Sequence, residues 1–259
     1  MLTDRTYDDL HNAEPAALAK SKELVLGDIQ VVFQPVVDLD TGDVFAQEAL
    51  VRSNHPDHHS PLQLFAHAVR QRSCGRLGRT IRSLALSRGG CDRMFVNIHP
   101  RELTSRCIIE ADDPLYSYPG ELYIELTEHA AFDDRNPCRE VLQEIRRKSG
   151  ARLAVDDFGA GYSNLMRVLE LEPEIVKLDL TLVRGLHRDP RRQTLVRHMV
   201  SLCEDLGSRV VIEGIEHVDE LKAAIDAGVH YGQGYLLAEP AAPPSTVHWP
   251  IAKLVNVSG

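Results

Sequence analysis

The feature that most constrains the fold is a regular alternation along the chain between short apolar runs and longer stretches of helical length. Eight runs rich in β-branched residues have the length and composition of strands. They span residues 29–39, 44–51, 93–98, 121–126, 152–157, 174–180, 209–214 and 230–236. Helices are predicted between them at 61–72, 77–88, 136–149, 162–170, 190–206 and 217–227. Repeated strand-then-helix units predict a parallel sheet, and eight strands with mostly helical returns predict that the sheet closes into a barrel.

The first two runs break the alternation, because only a short turn separates them. Asp40, Thr41 and Gly42 supply turn chemistry there, so the two runs are predicted to form an antiparallel hairpin. The predicted fold class is therefore α/β: a TIM-type (β/α)8 barrel, modified by an antiparallel opening strand. The assigned regions are a short N-terminal helical extension at 1–27, the barrel at 28–245 and a C-terminal tail at 246–259.

Composition and charge exclude several classes of function. The formal net charge is −9 at pH 7, which disfavours a groove for DNA or RNA because such a groove needs a basic surface. No apolar stretch approaches the roughly 18–20 residues of a membrane span. The N-terminus lacks the basic-then-apolar order of a signal peptide, and the five cysteines are scattered, as is typical of reduced thiols. A cytoplasmic location is therefore predicted.

Polar side chains close the apolar runs at the strand ends where barrels of this type place their chemistry. They are Glu48, Asn97, Glu125, Asp156, Asp157, Lys177, Glu213 and Gln233. Five carboxylates and one lysine would form a strongly negative group, and buried charge must be compensated. Because the ligand atoms are all oxygen, the sequence predicts Mg²⁺, Mn²⁺ or Ca²⁺ at this edge of the barrel.

Each of these residues also has an ordinary structural explanation. A single acidic residue at a strand end is usually solvated, and Asn97 is suited to cap a helix that begins near Pro100. Asp156 and Asp157 face one site only if the strand breaks there, which the following FGAGYSN turn allows. Lys177 is harder to explain in this way, since a lysine inside a buried strand needs a charged partner. The coincidence of all eight residues on one rim favours a functional site.

From about residue 28 to 242 the chain resembles the EAL domain, the bacterial cyclic di-GMP phosphodiesterase module. The matching segments, in order, are FQPVV (33–37), EALVR (48–52), NHP (54–56), VNI (96–98), IELTE (124–128), DDFGAGYS (156–163), VKLD (176–179), EGIE (213–216) and QGY (233–235). A lone EAL tripeptide carries little information, but this ordered series is highly specific.

The resemblance implies a role for each matching position. Two Mg²⁺ or Mn²⁺ ions would be held by Glu48, Asn97, Glu125, Asp156, Asp157 and Glu213. The catalytic residues would be Lys177, Glu213, Glu128 and Gln233, and the substrate contacts Gln34, Leu50 and Arg52. Lys177 would hold and help activate the attacking water, and Glu128 would brace the loop 158–164. The implied reaction is hydrolysis of cyclic di-GMP to linear pGpG. A homodimer and a regulatory protein partner are further expectations of the resemblance.

The chain departs from the family pattern near the substrate. Ser53 replaces the Trp that usually follows the arginine, and the segment 70–79 is unusually basic, with four arginines. These departures are expected to affect substrate closure or dimer contacts. None of the metal positions is affected.

Other functions stay open at this point. An EAL-like receptor would bind cyclic di-GMP without turnover and signal through a protein partner, although such receptors usually lack metal ligands or the lysine. An enolase-type enzyme would also use a lysine with carboxylate-bound Mg²⁺, whereas a purely structural barrel gives no reason for charges at strand ends. A zinc site at His55, His58 and His59 lacks a fourth ligand at suitable spacing.

Overall fold

The chain folds into a closed barrel of eight strands. The computed structural model describes residues 26–88, 90–105, 107–110, 112–127, 138–159 and 165–251. The strands follow one another around the barrel in chain order, and the last strand pairs with the first. Helices follow most of the strands, so the predicted α/β barrel is confirmed.

Most of the helices and strands lie where the alternation predicts them. The strands are β1 (Ile29–Asp38), β2 (Val44–Ser53), β3 (Arg93–Asn97), β4 (Glu121–Thr127), β5 (Arg152–Phe158), β6 (Ile175–Leu178), β7 (Arg209–Ile212) and β8 (Tyr231–Gly232). The helices are α1 (Pro61–Arg70), α2 (Cys74–Arg88), α3 (Pro100–Ser105), α4 (Cys138–Ser149), α5 (Leu165–Leu171), α6 (Leu180–Val183), α7 (Pro190–Asp205) and α8 (Val218–Asp226). Short 3₁₀ turns occupy Leu26–Asp28, Cys107–Ile109, Pro114–Tyr116 and Leu186–Arg188.

The last three strands are shorter than predicted. β6 ends at Leu178 because the chain turns directly into α6, a helix that the sequence did not predict. The Asp179 carboxylate caps this helix by accepting a hydrogen bond from the Thr181 amide at 2.9 Å. Within the described ranges, none of the helices combines the length and the apolar composition that crossing a bilayer requires.

The opening hairpin is present. β1 runs antiparallel to β2 and to β8, whereas the other neighbouring pairs are parallel. The Asp38 carboxylate holds the turn by accepting hydrogen bonds from the amides of Asp40 and Thr41, each at 3.0 Å. Gly42 has a φ of 77°, which glycine adopts without steric cost, and Trp249 occupies the space that a Cβ atom would need. Trp249 therefore packs directly over the hairpin turn.

The hydrophobic core has two layers, because side chains alternate between the two faces of each strand. The outer layer lies between the strands and the helices, and includes Val96, Ile124, Val155, Val176 and Val210. The inner layer fills the barrel, and consists of Val36, Ala46, Phe95, Tyr123, Ala154, Ile175 and Val211. The interior at this level is thus packed apolar material, and the mouth of the barrel is built on top of it.

Candidate active site at the barrel mouth

A polar layer stands directly above the inner apolar layer. On seven strands an inward apolar or aromatic residue is followed, two positions later, by a polar one, which for β7 and β8 is the first residue beyond the strand. The pairs are Ala46 and Glu48, Phe95 and Asn97, Tyr123 and Glu125, Ala154 and Asp156, Ile175 and Lys177, Val211 and Glu213, and Tyr231 and Gln233. Since residues two apart on a strand share a face, every polar member points into the mouth at the C-terminal edge of the sheet.

Lys177 lies at the centre of the mouth and is almost completely buried. Its Nζ atom contacts four carboxylates that come from four different strands or strand ends. The distances are 3.2 Å to Glu48 Oε2, 2.7 Å to Glu125 Oε1, 3.5 Å to Asp156 Oδ1 and 2.5 Å to Glu213 Oε1. We refer to these four residues and Asp157 as the carboxylate cluster. A buried ammonium group needs such partners, so Lys177 links the strands that carry them.

Two side-chain amides also contact the carboxylate cluster. Asn97 Nδ2 donates a hydrogen bond to Glu125 Oε2 at 2.8 Å and a weaker one to Glu48 Oε1 at 3.4 Å. Gln233 Nε2 donates to Glu48 Oε2 at 2.8 Å. Asn97 and Gln233 therefore fix the orientation of two of the five carboxylates.

Asp156 and Asp157 both reach the site because β5 is irregular at this point. Adjacent residues of a regular strand point to opposite faces. Asp157, however, has a φ of 59°, in the left-handed region, and the pairing of β5 with β6 shifts register between Val155 and Phe158. One carboxylate oxygen from each of Asp156, Asp157 and Glu213 lies within 4.8 Å of the other two. Such a group of oxygens is a candidate ligand set for a hard divalent cation.

The pKa values show that positive charge is lacking at the mouth. Burial, and then repulsion from Glu48, raises the pKa of Glu125 well above its usual value. Burial also raises the pKa of Asp156, and it raises the pKa of Glu213 to about 8. Burial acts on Glu48 in the same direction, but the charge of Lys177 and the hydrogen bonds outweigh it, and the pKa is lowered. Burial disfavours the charged form of Lys177. The surrounding carboxylates, of which Asp156 has the largest effect, nevertheless raise its pKa well above the usual value.

Three buried oxygen atoms at the mouth, Glu125 Oε1, Asp156 Oδ1 and Gln233 Oε1, accept no hydrogen bond within the described part of the chain. The first two have the ion-pair contacts of Lys177 at 2.7 and 3.5 Å. A buried acceptor without a donor costs about 1–3 kcal/mol. A bound cation would satisfy these acceptors and compensate the charge of the carboxylate cluster at the same time. The residues therefore fit an oxygen-binding divalent cation such as Mg²⁺, Mn²⁺ or Ca²⁺.

A cavity of about 640 Å³ opens beside the carboxylate cluster. Glu48, Asn97, Asp156 and Asp157 line one end of it. Its walls continue along α1 and α2 with Leu62, Phe65, Ala66, Val69, Ile81 and Ala85. Leu50 and Arg52, two of the three residues predicted to contact substrate, line the same cavity. The structure thus places a mostly apolar pocket next to a strongly anionic group.

Of the other predicted residues, Gln34 does not line the cavity and Glu128 is not described. Gln34 is buried rather than part of the described cavity lining: its Nε2 donates to the Ala238 carbonyl at 3.0 Å, and its Oε1 accepts from Gln233 at 3.1 Å. It therefore braces Gln233. Glu128, and residues 160–164 of the loop that it is predicted to brace, lie outside the described residues. The chemical roles of the site residues stay predictions.

The cavity wall contains a ring pair that the sequence did not single out. Phe65 of α1 and His99 stack with centroids 5.1 Å apart and planes at 8°. Burial lowers the pKa of His99 to about 4, so its ring is neutral near pH 7. His99 lies two residues beyond Asn97, and this proximity was the one available signal. Helical periodicity predicts that Phe65 lies on a helix but not that it faces the mouth.

A second buried group of charges, which the sequence also did not indicate, joins α2 to α3. Arg82 donates from Nε and Nη2 to the two carboxylate oxygens of Asp113, at 3.0 and 2.6 Å, and from Nη1 to Glu102 at 2.6 Å. Glu102 also accepts a hydrogen bond from the His99 amide at 3.0 Å. No sequence pattern indicated this cluster, because charged residues on helices are normally solvated.

Comparison with protein families gives a match along most of the chain. The family model described as the EAL domain matches residues 18–240. The cyclic di-GMP phosphodiesterase RocR of Pseudomonas aeruginosa is 31% identical over 239 residues, which cover 83% of this chain and 58% of RocR. The chain therefore spans little more than half the length of this relative.

Solved structures with the same fold include nucleotide complexes. The manganese and cyclic di-GMP complex of Klebsiella pneumoniae BlrP1 is 30% identical, with a TM-score of 0.72, and the match covers 87% of this chain and 59% of that chain. The cyclic di-GMP-bound form of a standalone EAL protein from Vibrio cholerae is 28% identical, with a TM-score of 0.68 and coverage of 85% and 96%. The barrel described above is thus shared with proteins that bind this nucleotide.

Proposed function

This chain belongs to the EAL domain family, and on that premise we propose that it hydrolyses cyclic di-GMP to the linear dinucleotide pGpG. The observation that carries the proposal is the carboxylate cluster around Lys177 at the mouth of the barrel. Two similar proteins support the same chemistry: RocR is a cyclic di-GMP phosphodiesterase, and BlrP1 forms a complex with manganese and cyclic di-GMP. Phosphodiester cleavage needs a nucleophile, neutralised phosphate oxygens and a stabilised leaving group, and such a cluster can supply all three by holding cations.

We assign two Mg²⁺ or Mn²⁺ ions to the carboxylate cluster. Their ligands would be Glu48, Asn97, Glu125, Asp156, Asp157 and Glu213. The raised pKa values of three carboxyl groups support this assignment, as does the buried Asp156 Oδ1, which accepts no hydrogen bond among the described residues and has only the 3.5 Å contact with Lys177. When bound, such ions supply positive charge to the phosphate oxygens and lower the pKa of water toward neutrality.

Lys177 is the residue that orients the attacking water in this proposal. Its raised pKa keeps Nζ protonated, so it donates a hydrogen bond to the water oxygen and leaves the water proton to another group. Glu213 is the acceptor we assign, because it lies 2.5 Å from Nζ and is the most exposed of the four contacting carboxylates, at 23%. Gln233 holds Glu48 in place and would position a further water or substrate oxygen.

The cavity would hold the dinucleotide. Its volume of about 640 Å³ is within the range of ligand pockets, and its apolar walls offer flat contact to bases. Arg52 and Arg70 line the same cavity and supply cations for phosphate or for the guanine edge. Leu50 lies next to the carboxylate cluster, where it would contact the sugar or base nearest the scissile bond.

Turnover is the direct test. Purified protein with Mg²⁺ or Mn²⁺ is given cyclic di-GMP, and pGpG is expected by chromatography; EDTA should stop its formation. Cyclic GMP serves as the control nucleotide and should not be consumed. Calorimetric binding without turnover would instead identify a non-catalytic receptor, and absence of both binding and turnover would exclude cyclic di-GMP as the ligand.

A further inference from the structure

Three histidines form a stack where the chain passes from β2 into α1. The rings of His55 and His58 have centroids 4.8 Å apart and planes at 12°, and the rings of His58 and His67 are 4.3 Å apart at 40°. His55 and His58 lie in the loop 54–60, whereas His67 is on α1. The stack therefore joins this loop to the helix.

Helix α1 depends on such contacts because it is short and packs through a small apolar cluster, which is separate from the main core and includes Val51 and Leu77. It has ten residues, and an isolated helix of this length is not stable in water. Ser60 caps it by accepting a hydrogen bond from the Gln63 amide at 3.2 Å, but the buried residues of the helix are Leu64 and Ala68 alone. A further face of α1, which includes Phe65, lines the cavity beside the carboxylate cluster. The position of this cavity wall thus depends on how α1 is held.

The geometry of the stack suits uncharged rings. His55 is fully buried and His58 is 7% exposed. His55 Nδ1 accepts a hydrogen bond from the Asp57 amide at 3.1 Å, so a neutral His55 carries its proton on Nε2. His58 Nε2 is buried and has no hydrogen-bond partner among the described residues. Protonation of His58 would put a positive charge beside a buried nitrogen that has no acceptor among the described residues, and protonation of two neighbouring rings would place like charges less than 5 Å apart.

The charges around the stack do not offset this preference. From α1, Arg70 opposes a positive charge on both His58 and His67; from the loop, Asp57 favours a charge on His58, but Asp57 is itself exposed. Burial, followed by His55, lowers the pKa of His58. Burial, followed by His58, lowers the pKa of His67. The folded stack therefore excludes protons that the open loop and helix would bind.

We propose that His55, His58 and His67 are positioning residues for the substrate cavity: they hold α1 against the loop 54–60 while the rings of His58 and His67 are neutral, and they release the helix when one of these two rings is protonated. As far as it concerns substrate, this inference rests on the proposed function. A histidine with a lowered pKa adds nothing unfavourable above its unfolded value of about 6.5, but it destabilises the folded arrangement as the pH falls below that value. Acid is therefore expected to raise KM for cyclic di-GMP.

Hydrogen exchange tests the stack without requiring activity. Amide exchange of α1 is measured at pH 7.5 and pH 5.5 and corrected for the intrinsic rates. The opening of α1 should increase in the wild type at the lower pH, by up to about tenfold for each ring that is protonated, because pH 5.5 lies one unit below the unfolded histidine pKa of about 6.5. α7 should not change. The matched variant H58F/H67F keeps stacked rings but cannot titrate at these positions, so its α1 should respond little to pH. If that variant does not fold, H67Q replaces it in the same comparison.

The same proteins then test positioning. In the wild type, KM should rise relative to the variant between pH 7.5 and pH 5.5, by up to about the same factor as the opening of α1, whereas the ratio of their kcat values stays constant. A wild-type α1 that exchanges equally at both pH values, or equally in wild type and variant, would overturn the proposal. So would a constant KM ratio in an active enzyme. If no turnover is found at all, the exchange result still decides the stack, so the two failures are distinguishable.

Discussion

Among the described residues, two clusters of oppositely charged side chains are buried, and they differ in how completely their charges and hydrogen bonds are satisfied. In the first, one guanidinium, that of Arg82, faces two carboxylates, and three of its nitrogen atoms have acceptors at 2.6–3.0 Å. In the second, one ammonium group, that of Lys177, faces four carboxylates, and Asp157 lies beside them. The Arg82 cluster has its hydrogen bonds in place, whereas the mouth has more anions than its cation can compensate.

The difference teaches which buried charges indicate a ligand. A cluster with complete hydrogen bonds and near balance of charge maintains its own structure. A cluster in which four carboxylates contact one ammonium group, and in which buried oxygens such as Asp156 Oδ1 accept no hydrogen bond among the described residues, is complete only with added positive charge. A raised pKa alone does not separate the two clusters, because burial also raises the pKa of Glu102. On this basis the Arg82 cluster is structural, and the carboxylate cluster is where cations belong.

The largest expected effect comes from breaking the balanced cluster. Arg82→Met leaves Glu102 and Asp113 buried without their cation, and should lower the free energy of unfolding by about 3–5 kcal/mol. The matched control is Arg79→Met, because Arg79 pairs with Asp112 at the surface, where solvent screens the charges, and its removal should leave the free energy of unfolding nearly unchanged. Urea unfolding measures both. Equal stability of the two variants would contradict the comparison.

Removing a charge from the mouth should lower the activity and leave the stability unchanged, in contrast to Arg82→Met, which should lower the stability. Glu125→Gln removes a proposed metal ligand, and turnover should fall about 100- to 1,000-fold, as when one preorganised electrostatic group is lost. The free energy of unfolding should not fall, because burial and repulsion already disfavour this charge. The matched control, Glu121→Gln, alters an exposed residue at the other end of β4, and should leave the rate within about twofold. Retained activity of E125Q would remove Glu125 from the site.

Cation binding separates the two clusters directly. Mn²⁺ at about 100 times its Kd should stabilise the wild type by about 2.7 kcal/mol, because only the folded chain brings the ligands together. Asp156→Asn should abolish this shift, while Arg82→Met, although less stable, should keep it. The measurement is the melting temperature with and without Mn²⁺. A wild-type protein that Mn²⁺ does not stabilise would argue against a metal site at the mouth.

The barrel could be predicted because its signals are local. Apolar runs, helical stretches and the turn at Asp40 to Gly42 are each contained in a few consecutive residues. Parallel strands then bring their C-terminal ends to one mouth, so residues far apart in sequence, such as Glu48 and Lys177, are predicted to meet. The spacing of two between Phe95 and Asn97, repeated on the other strands, was a further signal that strengthens the prediction.

The remaining features could not be predicted, because they depend on how separate elements pack. The contact of Arg82 with Asp113 spans 31 residues and requires a particular rotation of α2. The stacking of His67 on His58 requires α1 to return onto the loop before it. Likewise, the sequence indicated that the strand must break at Asp157, but not the left-handed backbone by which it does so.

The smallest effect, a pH slope, sharpens the comparison without any change of sequence. Glu213 has a pKa of about 8 in the folded chain and about 4.5 when unfolded, so between these values the folded chain holds a proton that the unfolded chain releases. The free energy of unfolding of the metal-free protein should therefore fall as pH rises from 7 to 8, by at most about 1.4 kcal/mol for this group.

Glu213→Gln should flatten the slope, and saturating Mg²⁺ should do the same because the cation replaces the proton. Arg79→Met should keep the wild-type slope in EDTA. Urea unfolding of metal-free protein at pH 7 and 8 checks this, and stability that rises over that interval would mean that the mouth does not lack positive charge.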